Sequence, residues 1–572
     1  MNPIDWLVLL GTMIGIAAYG TWRTRHTDNL NTYLKGSAST KWGTIGISVM
    51  ATQASTITYL SLPGQAYENG IAFIQNYFGL PLALILVCAV FLPIYRKLGV
   101  YTAYEYLGKR FDQKTRLLGA SLFLLQRGIQ AGITIYAPSI ILASVLGWRL
   151  DLTIIFTGLL AIVYTVTGGS AAVNLTQKWQ MAVIFGGMFT AFGILLYKLP
   201  PHATEIAGAL GKLTAVDYSL DPQVRYTFWS GLLGGFFLSL SYFGTDQSQV
   251  QRYLGGARLR EGRLGLMFNA VLKIPMQFFI VMLGALLFVF YQFNPQTPLV
   301  FNQTHWQRHL DGPHAETFRA LEQRHAVTHA DKQQKIEAWV AARDTDAEPA
   351  ARAAMLDAQR TWESLRQEAR TTLQSVDPAA KKTRDSDYVF ITFILTQLPH
   401  GIIGLLIAVM FASALSSKAG ELNALGTTST IDLWRHFRPL AEHDEHRNVR
   451  NAKWFTAAWG LFAIGFALFV SFAENLIEAL NIVASIFYPA LLGVFIVAFF
   501  FKRVQGSAAF YGTLAAQAVT IGLYTYGKLN PSQEIGYLWL NPIGCAACVL
   551  FSLLFQTFLP AKPAHSRETD AR

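Results

Sequence analysis

The sequence predicts an all-α integral membrane protein of about thirteen spans. Three observations carry this. Of 572 residues, 52% are hydrophobic and only 14% charged, against about 25% charged in soluble domains. The charges cluster between apolar runs long enough to cross a bilayer, near 4–21, 43–66, 71–95, 117–146, 151–169, 177–199, 226–249, 265–292, 386–417, 453–472, 476–501, 506–527 and 536–559. The connections also alternate in charge. Arg23, Arg25, Lys35 and Lys41 follow the first run, and Arg96, Lys97, Lys109, Arg110, Lys114 and Arg116 the third. Arg252, Arg258, Arg260 and Arg263 follow the seventh, and Lys418, Arg435, Arg438, Arg447 and Arg450 the ninth. Lys502 and Arg503 follow the eleventh, and Lys562, Arg567 and Arg572 form the tail. Positive residues near spans stay on the cytoplasmic side. The N-terminus is therefore expected outside and the C-terminus in the cytoplasm of a multi-pass cell-membrane protein (the inner membrane in a bacterium).

The elements follow in order. Residues 1–292 hold the first eight spans. The first run has basic residues after it and no cleavage signal, so it is read as a retained span. Residues 293–385 are polar, and parity puts this insertion outside the cytoplasm. Within it, 315–341 and 350–373 have helical composition, and the break near 344–349 predicts a hairpin. Its histidines, His305, His309, His314, His325 and His329, match no ligand spacing and are expected on a solvated surface. Residues 386–560 hold the remaining spans, and 561–572 form a cytoplasmic tail. The net charge of +11 comes from loops beside spans, which argues against nucleic acid. Cys88, Cys545 and Cys548 fall in apolar runs and are read as small core residues. The Cys545/Cys548 pair lacks the second pair or histidine that a metal site needs.

Two spans look broken. In the second, hydroxyl and small residues from Ser48 to Ser61 precede Pro63-Gly64. In the seventh, Gly234-Gly235 precede Ser239, Ser241, Tyr242, Gly244, Thr245 and Asp246. Interrupted helices in matching places of two halves point to an inverted repeat with a midplane site. The first repeat covers about 43–199, and the second starts near 226. The ninth run closes on Ser413, Ser416 and Ser417, three hydroxyls on one helix face. Such oxygens suit a hard, weakly held cation such as sodium. The competing reading is that serines let helices pack closely.

Ionisable residues inside spans are costly and mark sites. Arg127, deep in the fourth span, has the planar fork that grips a carboxylate. Lys273 lies in the eighth span, where snorkelling to the interface competes with function. Asp246 suggests a gate ion pair, and Glu478 is read as interfacial. Without a Gly-x-x-x-x-Gly-Lys loop, energy must come from an ion gradient. No nucleophile–base pair suggests an enzyme.

At this point the chain resembles the sodium:solute symporter family, over nearly all its length except 293–385. The resemblance rests on Tyr101-Thr102-Ala103-Tyr104-Glu105-Tyr106-Leu107-Gly108-Lys109-Arg110-Phe111, on Thr167-Gly168-Gly169, and on Asp246-Gln247 with Val250-Gln251-Arg252-Tyr253-Leu254. It also includes Ser416-Ser417 through Leu422-Asn423 and Asp432. Ile135-Tyr136-Ala137-Pro138 is most similar to the branch carrying iodide, monocarboxylates and vitamins. The family implies a LeuT-like five-helix inverted repeat with extra flanking helices, and sodium-coupled alternating access. It implies a sodium site from backbone oxygens of Ala51 and Ala54, the Ser413 carbonyl, Ser416 and Ser417. The implied solute pocket takes Gln53, Ser55, Thr58 and Tyr77 from one half and Ser239 and Asn481 from the other, with Tyr242 as inner gate. Arg127 and Lys273 join it from the reading of charges within spans. Sugar-carrying relatives place a carboxylate and an amide near positions 77 and 58, so Tyr77 and Thr58 argue against a neutral sugar. Gln177 stands where relatives often carry aspartate, which argues against a second sodium. The expected function is sodium-coupled import of a small organic solute, an anion such as a monocarboxylate or sugar acid. The alternatives are a sugar or amino-acid symporter, or a membrane sensor that binds solute without moving it.

Overall fold

The computed structural model describes residues 1–24, 41–254, 258–382, 384–437, 445–470 and 475–559. Arg25, Lys35, Arg438 and the expected tail 561–572 lie outside the described residues. The regular structure described is all helical. In chain order the main helices are α1 (Pro3–Thr24), α2 (Trp42–Gln53), α3 (Thr56–Asn69), α4 (Gln113–Leu146), α5 (Leu150–Lys198), α6 (Gly235–Gly244), α7 (Gln247–Leu254) and α8 (Leu259–Phe293). They continue as α9 (Ala315–Ala342), α10 (Glu348–Val376), α11 (Ile402–Thr428), α12 (Glu445–Phe469), α13 (Leu476–Phe500), α14 (Gly506–Leu529) and α15 (Leu540–Phe558). By length and composition, eight helices among the described residues can cross a membrane, and three shorter apolar ones accompany them.

The break in the second span falls between α2 and α3. Met50 O accepts the Ala54 amide at 2.6 Å, and Ser55 then turns extended with ψ 175°. Small and hydroxyl side chains hold such a break cheaply, because they hydrogen-bond their own backbone. The seventh span breaks between α6 and α7, at Thr245 and Asp246. Gly64 lets α3 lie directly on the chain at Ser386, where any Cβ would overlap the Ser386 backbone.

α5, 49 residues long, holds two apolar stretches, Leu150–Val166 and Trp179–Lys198. Ala161 packs with Phe411 and Leu415 of α11, and Gly187 abuts Leu406.

The expected ninth span, 386–417, is reshaped. A short helix, Val389–Gln397, ends before α11 begins at Ile402. The Asp5 carboxylate takes up the start of α11, accepting from the Gly401 amide at 2.6 Å and lying 2.9 Å from His400 Nδ1. A carboxylate there complements the helix dipole. α11 then continues past Ser417 to Thr428, so Lys418 is a buried helix residue rather than a loop charge. Arg252 is likewise buried, in α7.

The insertion contains the hairpin of α9 and α10, turned at Asp344 with φ 59°. Trp306, Phe318, Leu321, Leu365 and Leu373 form its own core, while Ile336, Trp339 and Met355 join the main one. The histidines depart from the solvated reading. His305, His325 and His329 are buried, whereas His314 is exposed. His305 Nδ1 lies 2.6 Å from Asp377, and His329 Nε2 donates to the Tyr291 carbonyl at 3.0 Å. The α9 hairpin face packs onto α8, which hides what composition alone reads as polar surface.

Burial, with His329, Arg366 and Lys332 nearby, pushes His325 down to about 3 from its ordinary 6.5. Burial also lowers His329. A histidine with a depressed folded value stabilises above its unfolded value and loses that contribution as pH falls towards the folded one. We predict lower stability below about pH 6.5, by up to ~1.4 kcal/mol per pH unit per histidine. Thermal unfolding at about pH 7.5 and pH 5 should differ in wild type and differ less in His325→Leu. Equal pH sensitivity in both would overturn this.

Candidate functional site

The site forms where the α2–α3 break meets α11. At the end of α2 the last carbonyls have no amide partner within the helix. One of them, Thr52 O, accepts from Ser417 Oγ at 3.3 Å. One residue back, Ser416 Oγ lies 2.8 Å from Gln180 Oε1 and 3.1 Å from Ser413 O. Ala51 and Ala54 are buried at the same break. Hydroxyls, an amide oxygen and open carbonyls therefore converge without a carboxylate, a donor set that fits a monovalent hard cation. Gln177 Oε1 accepts from Ser48 Oγ at 2.9 Å and lies 3.4 Å from Arg252 Nη1. Arg252 also donates to Ser48 Oγ at 2.7 Å.

A second group lies around the pocket-facing side of the broken helix. Thr58 Oγ1 donates to Gln53 O at 3.3 Å, and Gln53 Oε1 is buried without a partner. The Lys273 ammonium sits 5.6 Å from the centre of the Tyr77 ring, and Lys273 is 1% exposed. Burial that deep rules out snorkelling. Asn76 and Gln277 face the Tyr77 hydroxyl, whereas both amide atoms of Asn269, one helical turn from Lys273, and Asn481 Nδ2 on α13 are buried without a hydrogen-bond partner. Buried amides without partners are uncommon, and their clustering marks a place for a polar ligand. Ser55 starts α3 without capping it by its side chain, and Ser239 is buried on α6.

Arg127 and Tyr242 belong to a third group. The Arg127 guanidinium contacts Asp246 Oδ2, lies 3.5 Å from Glu421, and donates to Tyr488 OH at 3.0 Å. Tyr488 OH donates to the same Asp246 oxygen at 2.6 Å. Tyr242 lies under the guanidinium, 5.6 Å from ring centre to Cζ, and accepts from Gln249 Nε2 at 2.6 Å. The expected ion pair of Asp246 thus forms, with Arg127, and the fork of Arg127 is engaged by protein carboxylates rather than left for a solute.

The motif stretches meet as well. Gln247 donates to Tyr101 O at 2.8 Å and accepts from the Ala103 amide at 3.1 Å. Asp432 accepts from Thr102 at 3.0 Å and from Arg116 at 2.8 Å. The model of the sodium:solute symporter family matches residues 33–298 and 370–516. The chain belongs to the sodium:solute symporter family. This is a family of membrane-embedded transporters, not enzymes, whose members move sodium together with a small solute. Among its relatives, the sodium/sialic acid symporter of Proteus mirabilis is 23% identical over 98% of this chain and 96% of its own length. The human sodium/iodide cotransporter is 32% identical over 43% of the chain, which spans only 39% of that protein. The rabbit sodium-dependent multivitamin transporter is 25% identical over 91% of the chain and 70% of its own length. A solved sodium-coupled sialic acid symporter shares the fold, with TM-score 0.71, 22% identity, and coverage of 98% of this chain and 99% of the other. The symporter's architecture is therefore the expected LeuT-like one.

Sequence reasoning missed several members of these networks. Gln180, Glu421 and Tyr488 gave no local signal, and Lys418 reads as a loop charge. Glu478, in the first turn of α13, is 3% exposed and accepts from Tyr226 OH at 2.5 Å, with Arg225 3.7 Å away.

Proposed function

We propose that this symporter imports a small organic anion with sodium by alternating access. The reading is a thirteen-pass topology with the N-terminus outside, the C-terminus cytoplasmic, and the 293–385 insertion on the outer side. The observation that carries sodium coupling is the bond from Ser417 of α11 to the open Thr52 carbonyl. A cation held by Ala51, Ala54, Ser413, Ser416 and Ser417 would tie α11 to the broken helix and so order the pocket. Lys273 supports the anion, because among the described residues no carboxylate pairs with it. A carboxylate solute over Tyr77 would supply that counter-charge, with Gln53, Ser55, Thr58, Ser239 and Asn481 binding its hydroxyls or amides. Tyr242 and the Arg127–Asp246 pair close the inner side until release. The relatives carrying sialic acid and monocarboxylates are consistent with an acid.

Proteoliposome uptake of labelled monocarboxylates, sugar acids, amino acids and neutral sugars, with and without an inward sodium gradient, tests this. Ser417→Ala should raise the half-saturating sodium concentration about tenfold, the equivalent of ~1.4 kcal/mol. Lys273→Met should remove uptake of the acid and leave sodium binding intact. Accumulation without any sodium gradient would refute the coupling, and acid uptake indifferent to Lys273→Met would refute the anion assignment.

A further inference from the structure

We propose that Lys418 is a built-in cation. Its ammonium fills a three-oxygen cation site between α4 and α11, and this site consequently takes no ion from solution. Lys418 follows directly on the serine pair of α11 and is 4% exposed. Its Nζ donates to the Ala131 carbonyl at 2.5 Å, contacts Thr134 Oγ1, and lies 3.3 Å from Glu421 Oε2. An ammonium has three N–H donors and no acceptor, and here it meets three oxygens. The cage is closed on itself, since Thr134 Oγ1 lies 2.9 Å from Glu421 Oε2 and 3.2 Å from Ala131 O. A carbonyl, a hydroxyl and a carboxylate are also the oxygens that hold a hard metal cation.

Charge points the same way. Asp246, Arg127, Glu421 and Lys418 form one buried chain of alternating sign. Two cations balance two anions, as buried charge requires. Arg252, whose guanidinium lies against Gly420, is hydrogen-bonded to Ser48 and Gln177 and meets Glu421 only through its longer-range charge. Without Lys418, Glu421 Oε2 would face an emptied cage with no cation of its own. A small monovalent ion from solution would then complete it. The lysine thus does permanently what a second sodium would do reversibly, pinning α11 to α4 in every state of the cycle.

The consequence rests on the sodium-coupled reading, and the test separates the two. Binding of ²²Na⁺ to the purified full chain is counted for wild type, Lys418→Met, and Lys418→Met with Glu421→Gln. The expected result is one more sodium per chain in Lys418→Met than in wild type, and a return to the wild-type number in the double variant. Lys418→Met binding no more than wild type overturns the proposal. No binding by wild type counts against the sodium-coupled reading instead, whatever the variants do. If Lys418→Met is unstable, its unfolding temperature in NaCl and in choline chloride decides. Rescue by sodium supports the built-in cation, and equal instability in both salts, with a stable double variant, overturns it.

Discussion

Arg127→Met should destabilise the protein by about 3–5 kcal/mol, the usual cost of stripping one partner from a buried ion pair. Asp246 is fully buried, and its Oδ2 would keep only the Tyr488 hydroxyl, 2.6 Å away. Glu421 would lose the guanidinium 3.5 Å from its other oxygen. Asp246→Asn should cost less, because the amide still accepts from Ser248, whose hydroxyl lies 2.6 Å away. Adding Asp246→Leu to Arg127→Met should recover part of the loss, since an apolar pair leaves no orphaned charge. Thermal unfolding of wild type, Arg127→Met, Asp246→Leu and their double variant in one detergent reads this as a double-mutant cycle, with Asp246→Asn measured beside it. The same experiment separates two roles for Arg127. A residue reserved for a solute carboxylate would lose uptake on substitution and keep its stability. A melting temperature unmoved in Arg127→Met would return Arg127 to the pocket.

Arg127 illustrates what was legible in the chain and what was not. A guanidinium in the middle of an apolar run is so costly that its importance shows without any partner in view. Its partners Asp246 and Glu421 lie 119 and 294 positions further along the sequence, on α7's approach and on α11, and no local pattern links them. The broken helices were readable because glycine, proline and hydroxyl residues act on their own backbone. Lys418 and Arg252 were misread for the opposite reason. Each follows an apolar run and fits the alternation of basic loops, but Arg252 is solvated by Ser48 and Gln177 from elsewhere in the fold, and Lys418 by Ala131 and Thr134 of α4 together with Glu421 three residues on. The partners of Glu478 were hidden similarly, because Tyr226 and Arg225 are 252 and 253 positions earlier in the chain. Apolar periodicity sees the cost of a charge, but not the distant group that offsets it.

Arg366→Ala carries the other large expected effect. Arg366 uses its whole fork to join the insertion to α3, the second half of the broken helix. Nη2 pairs with Asp385 at 2.7 Å, Nε donates to Leu299 O at 3.0 Å, and Nη1 reaches Tyr67 OH at 3.4 Å. Its Cζ also lies 5.0 Å from the ring centres of both Trp362 and Phe301. Beside it, Arg370 holds Glu68 at 3.0 Å. Tyr67 and Glu68 lie at the end of α3, the half-helix that begins at the proposed sodium site. Truncating Arg366 leaves the buried Asp385 carboxylate without its nearest cation, so a loss of about 3–5 kcal/mol is expected. Arg366→Lys should recover little, because an ammonium cannot serve three directions in one plane. Protease nicking of the insertion in intact membranes should rise with both variants and fall back when Asp385 is also made apolar. Coupling to the gate predicts something a merely structural link does not. Arg370→Gln, which frees Glu68 at the tip of α3 but spares the buried pair, should shift the half-saturating sodium concentration without lowering the unfolding temperature. If Arg370→Gln changes neither quantity, the insertion is held to α3 without acting on the transport cycle.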